Sequence, residues 1–263
     1  MAWGPDGHLY VASEPTASVL RYNGTSGAFI DAFVASHSNG LISIHGIQFG
    51  PDGNLYASSQ NNQGVFRFDG GTGAFIDTFV AVNSGGLAEA RSLVFGPDGN
   101  LYVSHSPPSG VLRFDGTTGA FIDTFAAGGG LDYPQGIAFG LDGNLLVASA
   151  NTDNVLEYDG GTGAFLGVFA SGGGLDFPSS LMFGPDGYLY VSSHLTGAVL
   201  RYDGTTGAFI DTFVANGSGG LAQPAGLLFT EFAAQVPEPS SLSVLVIGGI
   251  ATLVLQRVGR RRR

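Results

Sequence analysis

Short apolar runs of four to six residues, each closed by glycine, proline, aspartate or asparagine, fill the chain almost from end to end. Between Gly96 and Phe139 four of them follow one another: NLYVS, VLRFD, AFIDTF and GIAF. Their length and alternation suit strands, with Leu101 and Val103 facing one way and Tyr102 and Ser104 the other. Both faces are apolar or small, as expected where each sheet is sandwiched between neighbours. The same unit begins at Gly4, Gly50, Gly96, Gly140 and Gly184, in steps of 46, 46, 44 and 44 residues. A period of this size marks a solenoid or a propeller. Four strands per unit, five times over, predict an all-β fold: a five-bladed β-propeller of four-stranded blades over residues 1–235. AGLLF (Ala225 to Phe229) is a first strand with no followers, whereas Ala2 and Trp3 are only a stub of one. Pairing the two would complete a fifth sheet and close the ring without an open edge.

The turns repeat as faithfully as the strands. Pro-Asp-Gly recurs at Pro5, Pro51, Pro97 and Pro185, with Leu141 once in place of proline. Proline pre-sets φ, aspartate bonds its own backbone and glycine takes the left-handed position. The second turn, NGTSG or DG(G/T)TG, begins at Asn23, Asp69, Asp115, Asp159 and Asp203. Without lysine, a GK[ST] element or a following helix, these loops read as hairpin turns and not as phosphate cradles. Arg21, Arg67, Arg113 and Arg201 each have an aspartate ten residues on, whereas the fourth unit has Glu157 and, ten residues on, Gly167. The cation and the acid vanish together, which predicts a cross-strand ion pair. Setting Arg113 against Asp123 places Phe114 opposite Ile122 and Val111 opposite Phe125.

Composition changes abruptly at Val236. The uncharged run Leu242 to Leu255, extended by flanking polar residues, predicts a transmembrane helix over about 240–257. The basic cluster Arg257, Arg260, Arg261, Arg262 and Arg263 would stay on the cytoplasmic side, leaving the repeats outside. Up to Gln235 the chain carries 20 acidic residues against five arginines, and it has no lysine. Such an acidic body opposes sequence-independent binding to nucleic acid. Cysteine is absent, so neither disulfides nor thiolate metal sites are available. The opening MAWGPDG enters mid-repeat and has no signal-peptide pattern, so further sequence is expected upstream.

The tail over residues 236–263 closely resembles the PEP-CTERM sorting signal of bacterial exported proteins. Pro237-Glu238-Pro239, Ser240 and Ser241, the apolar run and the arginine cluster stand in the family's order. The resemblance implies recognition by a membrane-embedded exosortase, cleavage near the Pro-Glu-Pro element, and release to the cell surface or extracellular matrix. The repeats, in FGPDGNLYVS, VLRFD and GAFIDTF, resemble NHL-type propeller repeats. That group is related in shape to gluconolactonase-like and streptogramin-lyase-like propellers, and fold alone does not choose among their functions.

A binding site is expected where the loops vary most, at one mouth of the central channel. Five positions before each repeat start lie His45, Arg91, Gln135, Ser179 and Ala225, and after the second strands lie Glu14, Gln60, His105, Asn151 and His194. Glu14, His45, Arg91, His105, Gln135, Asn151 and His194 are the candidate ligand-binding residues. Histidines 45, 105 and 194 with Glu14 could supply a base or a metal site, but they come from different units and share no repeat position as a set. His8 stands where other turns have asparagine, and His37 lies in a loop. The gluconolactonase-like resemblance implies acids and asparagine at the channel, for which Glu14, Asn151 and Asp153 are available. The lyase-like one implies a histidine and glutamate pair, which has no motif here. The residues therefore favour a non-enzymatic exported binding or scaffold protein, with no cofactor or resident metal and an extracellular polysaccharide or protein as ligand. The alternative is a lyase or lactonase working at the channel mouth.

Overall fold

The computed structural model describes residues 1–230, 244–247 and 250–256. Five four-stranded antiparallel sheets follow one another along the chain. The first contains β1 (Ala2–Trp3), β2 (Leu9–Ser13), β3 (Ser18–Tyr22) and β4 (Phe29–Val34). The second contains β5 (Ile44–Phe49), β6 (Leu55–Ser59), β7 (Gly64–Phe68) and β8 (Phe75–Val80). In the third, β9 (Leu93–Phe95), β10 (Leu101–His105), β11 (Gly110–Phe114) and β12 (Phe121–Ala126) are joined. The fourth has β13 (Pro134–Phe139), β14 (Leu145–Ser149), β15 (Asn154–Tyr158) and β16 (Phe165–Ser171). The fifth has β17 (Pro178–Phe183), β18 (Leu189–Ser193), β19 (Ala198–Tyr202) and β20 (Phe209–Val214). The chain is thus an all-β propeller with five blades of four strands.

Aromatic contacts join the first three blades each to the next, and the fifth to β21 (Gly226–Thr230). Tyr56 meets Phe79 of its own blade and Phe95 of the next one edge-on, both at 5.0 Å between centroids. Tyr102 repeats this with Phe125 and Phe139, and Tyr190 with Phe213 and Phe229. Each such pair contributes about 0.5–1.5 kcal/mol beyond the area it buries. Burial also pushes the Tyr56 and Tyr102 phenols up to about 12, so each remains a donor to the aspartate of its Pro-Asp-Gly turn.

The predicted ion pairs form. Arg21, Arg67, Arg113 and Arg201 each donate through Nε and Nη2 to Asp31, Asp77, Asp123 and Asp211. Three of the guanidiniums lie about 5 Å over Phe33, Phe79 and Phe125, and the fourth lies over Phe213. In the fourth blade Glu157 faces Gly167 and accepts instead from the Asn144 amide at 3.0 Å. The neighbouring register differs from expectation. Bulges on both sides of the pair set Phe114 opposite Phe121 and Val111 opposite Ala126. The ion pair and the adjacent Leu112–Thr124 pair keep the simple register, because each bulge shifts the pairings beyond it by a residue.

Closure also differs. Ala2 and Trp3 already pair with Tyr10 and Leu9, so β21 (Gly226–Thr230) has no place in the first sheet. It pairs in parallel with β23 (Ile250–Gln256), which pairs with β22 (Val244–Ile247), giving a separate three-stranded sheet. No gap opens, because β21 is wedged between the fifth and first blades. Leu227 packs with Tyr190, Val199 and Val214, and Leu228 with Leu9, Val11 and Tyr22.

The expected membrane helix over 240–257 is not what the described residues form, since they are β22 and β23. Among the described residues no helix is long and apolar enough to cross a membrane. The backbone reason is the free edge of β21, which takes up a segment rich in β-branched residues. The sorting motif Pro237, Glu238, Pro239 and the basic residues Arg257, Arg260, Arg261, Arg262 and Arg263 lie outside the described residues.

Candidate functional site

The first strand of each blade lines a central channel. Its cavity, about 1240 Å³, is bounded by Met1–Trp3 and by parts of β5, β9, β13, β17 and β21 with the loops preceding them. Hydroxyl groups tie these strands across blade boundaries. Ser58 donates to the Arg91 carbonyl, Ser104 donates to the Gln135 carbonyl at 2.7 Å, and Ser179 donates to the Pro224 carbonyl at 2.8 Å. Backbone positions at the mouth are therefore fixed from the preceding blade.

Of the candidate residues, Glu14, His45, Arg91, Gln135 and His194 line the cavity, as do Ser179 and Ala225. His105 does not. It is buried in the third blade at the end of β10, where it pairs with Gly110, a residue without a side chain to displace its ring. Gln60 and Asn151 are also absent from the lining: Gln60 donates to Glu89 at 3.4 Å, and Asn151 is exposed in the loop after β14. Asp153 serves the backbone, accepting from the Phe177 N–H at 2.9 Å.

Arg91 is 3 % exposed, an uncommon state for an arginine. Its Nη2 donates to Glu89 at 2.7 Å, and its guanidinium carbon stands 3.9 Å from the centroid of Tyr133. Its Nε is buried without a partner. This cation sits near His45, which is exposed to the channel that it lines. Loss of bulk solvent, and then the Arg91 charge, push the His45 pKa down from 6.5 to about 4. At neutral pH His45 is therefore a neutral imidazole, free to accept a proton. Among the described residues no three His, Asp or Glu side chains converge as a metal-binding set.

Pattern reading missed a second ring. Seven positions before each repeat start stand Ser43, Glu89, Tyr133 and Phe177, with Gln223 at the corresponding place before β21; all five hold left-handed backbone angles, φ between 43° and 58°. Such angles cost a non-glycine residue about 1–3 kcal/mol and collect at functional sites. Here they are held by bonds to neighbouring loops, such as Ser109 Oγ accepting from the Tyr133 N–H and the Phe177 carbonyl accepting from the His194 N–H. Each residue lies two after a leucine that is buried in every unit: Leu41, Leu87, Leu131, Leu175 and Leu221. The available signal was that contrast, a fixed leucine followed by a position that never repeats.

No protein-family model matches the chain, and no curated relative matches it. Solved structures do. A gluconolactonase from Xanthomonas campestris aligns with a TM-score of 0.68 at 16% identity, over 88% of this chain and 78% of that one. A catalytically inactive histidine-to-alanine form of virginiamycin B lyase from Staphylococcus aureus, solved with quinupristin, aligns at 0.65 and 15%, over 85% and 71%. The nidogen/laminin complex aligns at 0.63 and 19%, over 81% and 78%. At these identities the likeness is one of fold: the chain is a β-propeller whose structural neighbours include gluconolactonases, streptogramin B lyases and a nidogen complex.

Proposed function

We propose that the channel mouth is an active site that opens a small cyclic ester, His45 acting as general base. One observation carries this reading: a histidine and a buried arginine stand in the same stretch of the channel wall. In hydrolysis, neutral His45 takes a proton from water as its oxygen adds to the ester carbonyl. The protonated imidazole then returns that proton to the departing alkoxide. Arg91, held under Tyr133 and paired to Glu89, acts at a distance. Its fixed positive charge adds to burial in keeping His45 deprotonated, and it lowers the energy of the negative charge that develops on the carbonyl oxygen. The gluconolactonase and streptogramin lyase neighbours favour this enzymatic alternative over the scaffold reading.

The test is turnover of a panel of five- and six-membered lactones, followed by acid release. His45→Ala is expected to lower kcat/KM by about 10²–10⁴-fold. Absence of turnover across the panel, or full activity in His45→Ala, counts against the reading. In that event the nidogen neighbour supports the other one, a propeller that binds a macromolecule.

The tail sequence further supports delivery to the cell envelope through exosortase, with anchoring in the membrane before processing. Mass spectrometry of the chain from a host carrying an exosortase tests this. A new C-terminus near Glu238 is expected; retention of Arg263 opposes it.

A further inference from the structure

Two of the five left-handed residues at the mouth, Tyr133 and Phe177, are aromatic and stand side by side in successive blades, with centroids 5.9 Å apart. The His194 ring continues the row 5.8 Å beyond Phe177. All three line the cavity, and Tyr133 and Phe177 are half-buried, so each keeps part of its ring on the open channel. The fold does not require aromatic residues there, because Ser43, Glu89 and Gln223 hold the same backbone conformation in the corresponding loops. An aromatic wall on one side only, set on strained backbone, is a surface shaped for a flat apolar group.

Charge narrows the class. A carboxylate binds arginine best through two parallel N–H groups, but Arg91 already gives Nη2 to Glu89 and its face to Tyr133. Glu14 in the lining also opposes an anion. A cation would meet the buried Arg91 guanidinium in the same wall. We infer that the site takes an uncharged ester bearing an aryl ring, with the ring laid against Tyr133 and Phe177 and the ester group left to His45. This specificity rests on the His45 reading above, but its test does not require turnover.

The experiment is calorimetric binding of 3,4-dihydroquinolin-2-one, an unreactive lactam with a fused benzene ring, against 2-piperidone, the same ring without it. The full chain is expected to bind the aryl lactam at least about tenfold more tightly, the scale of one good aromatic contact. Phe177→Gln and Tyr133→Ser, which install residues that sibling loops carry at this position, are each expected to reduce that preference to below about threefold. Equal binding of the two lactams, no binding of either at millimolar concentration, or a preference that survives both substitutions would overturn the inference. Preference without lactone turnover keeps the aryl site and removes the hydrolytic reading; turnover without preference does the reverse.

Discussion

At one end of the propeller the turns hardly change from blade to blade. Asp69, Asp115, Asp159 and Asp203 each accept from backbone N–H groups two and three residues on, and glycine takes the positive φ that follows. At the other end the loops carry Ser43, Glu89, Tyr133, Phe177 and Gln223, all left-handed and all different. The first end uses conformations that its residues adopt at little cost. The second holds costly conformations in place with hydrogen bonds from adjacent loops. One repeat thus supplies stability at the turn end and chemical variety at the mouth, and substitutions at the two ends should separate accordingly.

The largest effect is expected at the turns. A Cβ at Gly116 would stand inside the van der Waals shell of the Gly99 carbonyl oxygen, backbone against backbone. Gly116→Ala should cost about 3 kcal/mol, read as a lower denaturant midpoint. Because this turn lies at the far end from His45, ligand affinity of the remaining folded protein should be unchanged. Loss of affinity at unchanged stability would blur the division.

Next in size is the arginine staple. Arg201→Met removes a half-exposed ion pair and a cation over Phe213. About 1 kcal/mol is expected, a fall of about 2–4 °C in Tm. A loss of several kcal/mol would mean that the staple supports the blade and does more than set its register.

The smallest effect comes from repairing the fourth blade, where Glu157 faces Gly167. Glu157→Arg with Gly167→Asp should restore the pair and raise stability by about 0.5 kcal/mol, while Glu157→Arg alone should add nothing. A gain from the single change would show that the partner is dispensable.

Much of this architecture was legible because repeats expose their own rules. The co-occurrence of Arg113 with Asp123, and its failure at Glu157 and Gly167, located a cross-strand contact without any coordinates. The bulges beside it were not legible, since a bulge changes which residues face each other without changing residue type. The place of Ala225 to Phe229 was misread because pairing was assumed with the nearest incomplete sheet. At the mouth, Glu14, His45, Arg91, Gln135 and His194 were placed together by repeat position alone. His105 was grouped with them, but it stands nine residues after its repeat start, where Ser13, Ser59, Ser149 and Ser193 end the second strands of the other blades, and it pairs there with Gly110. Backbone handedness at Tyr133 and Phe177 left no trace in hydropathy, because each is an ordinary aromatic residue between an aspartate and a proline.

The claim at the centre of this account is that His45 is a base kept neutral by its place in the channel wall. The pH dependence of kcat/KM on a lactone substrate tests it most directly, since that profile reports the free enzyme's essential base. The base acts only when deprotonated, and its pKa is depressed to about 4. Activity should therefore be flat from neutrality down to about pH 5 and fall tenfold per pH unit below about 4. A limb centred near 6.5, or an unchanged profile in His45→Gln, would contradict the account.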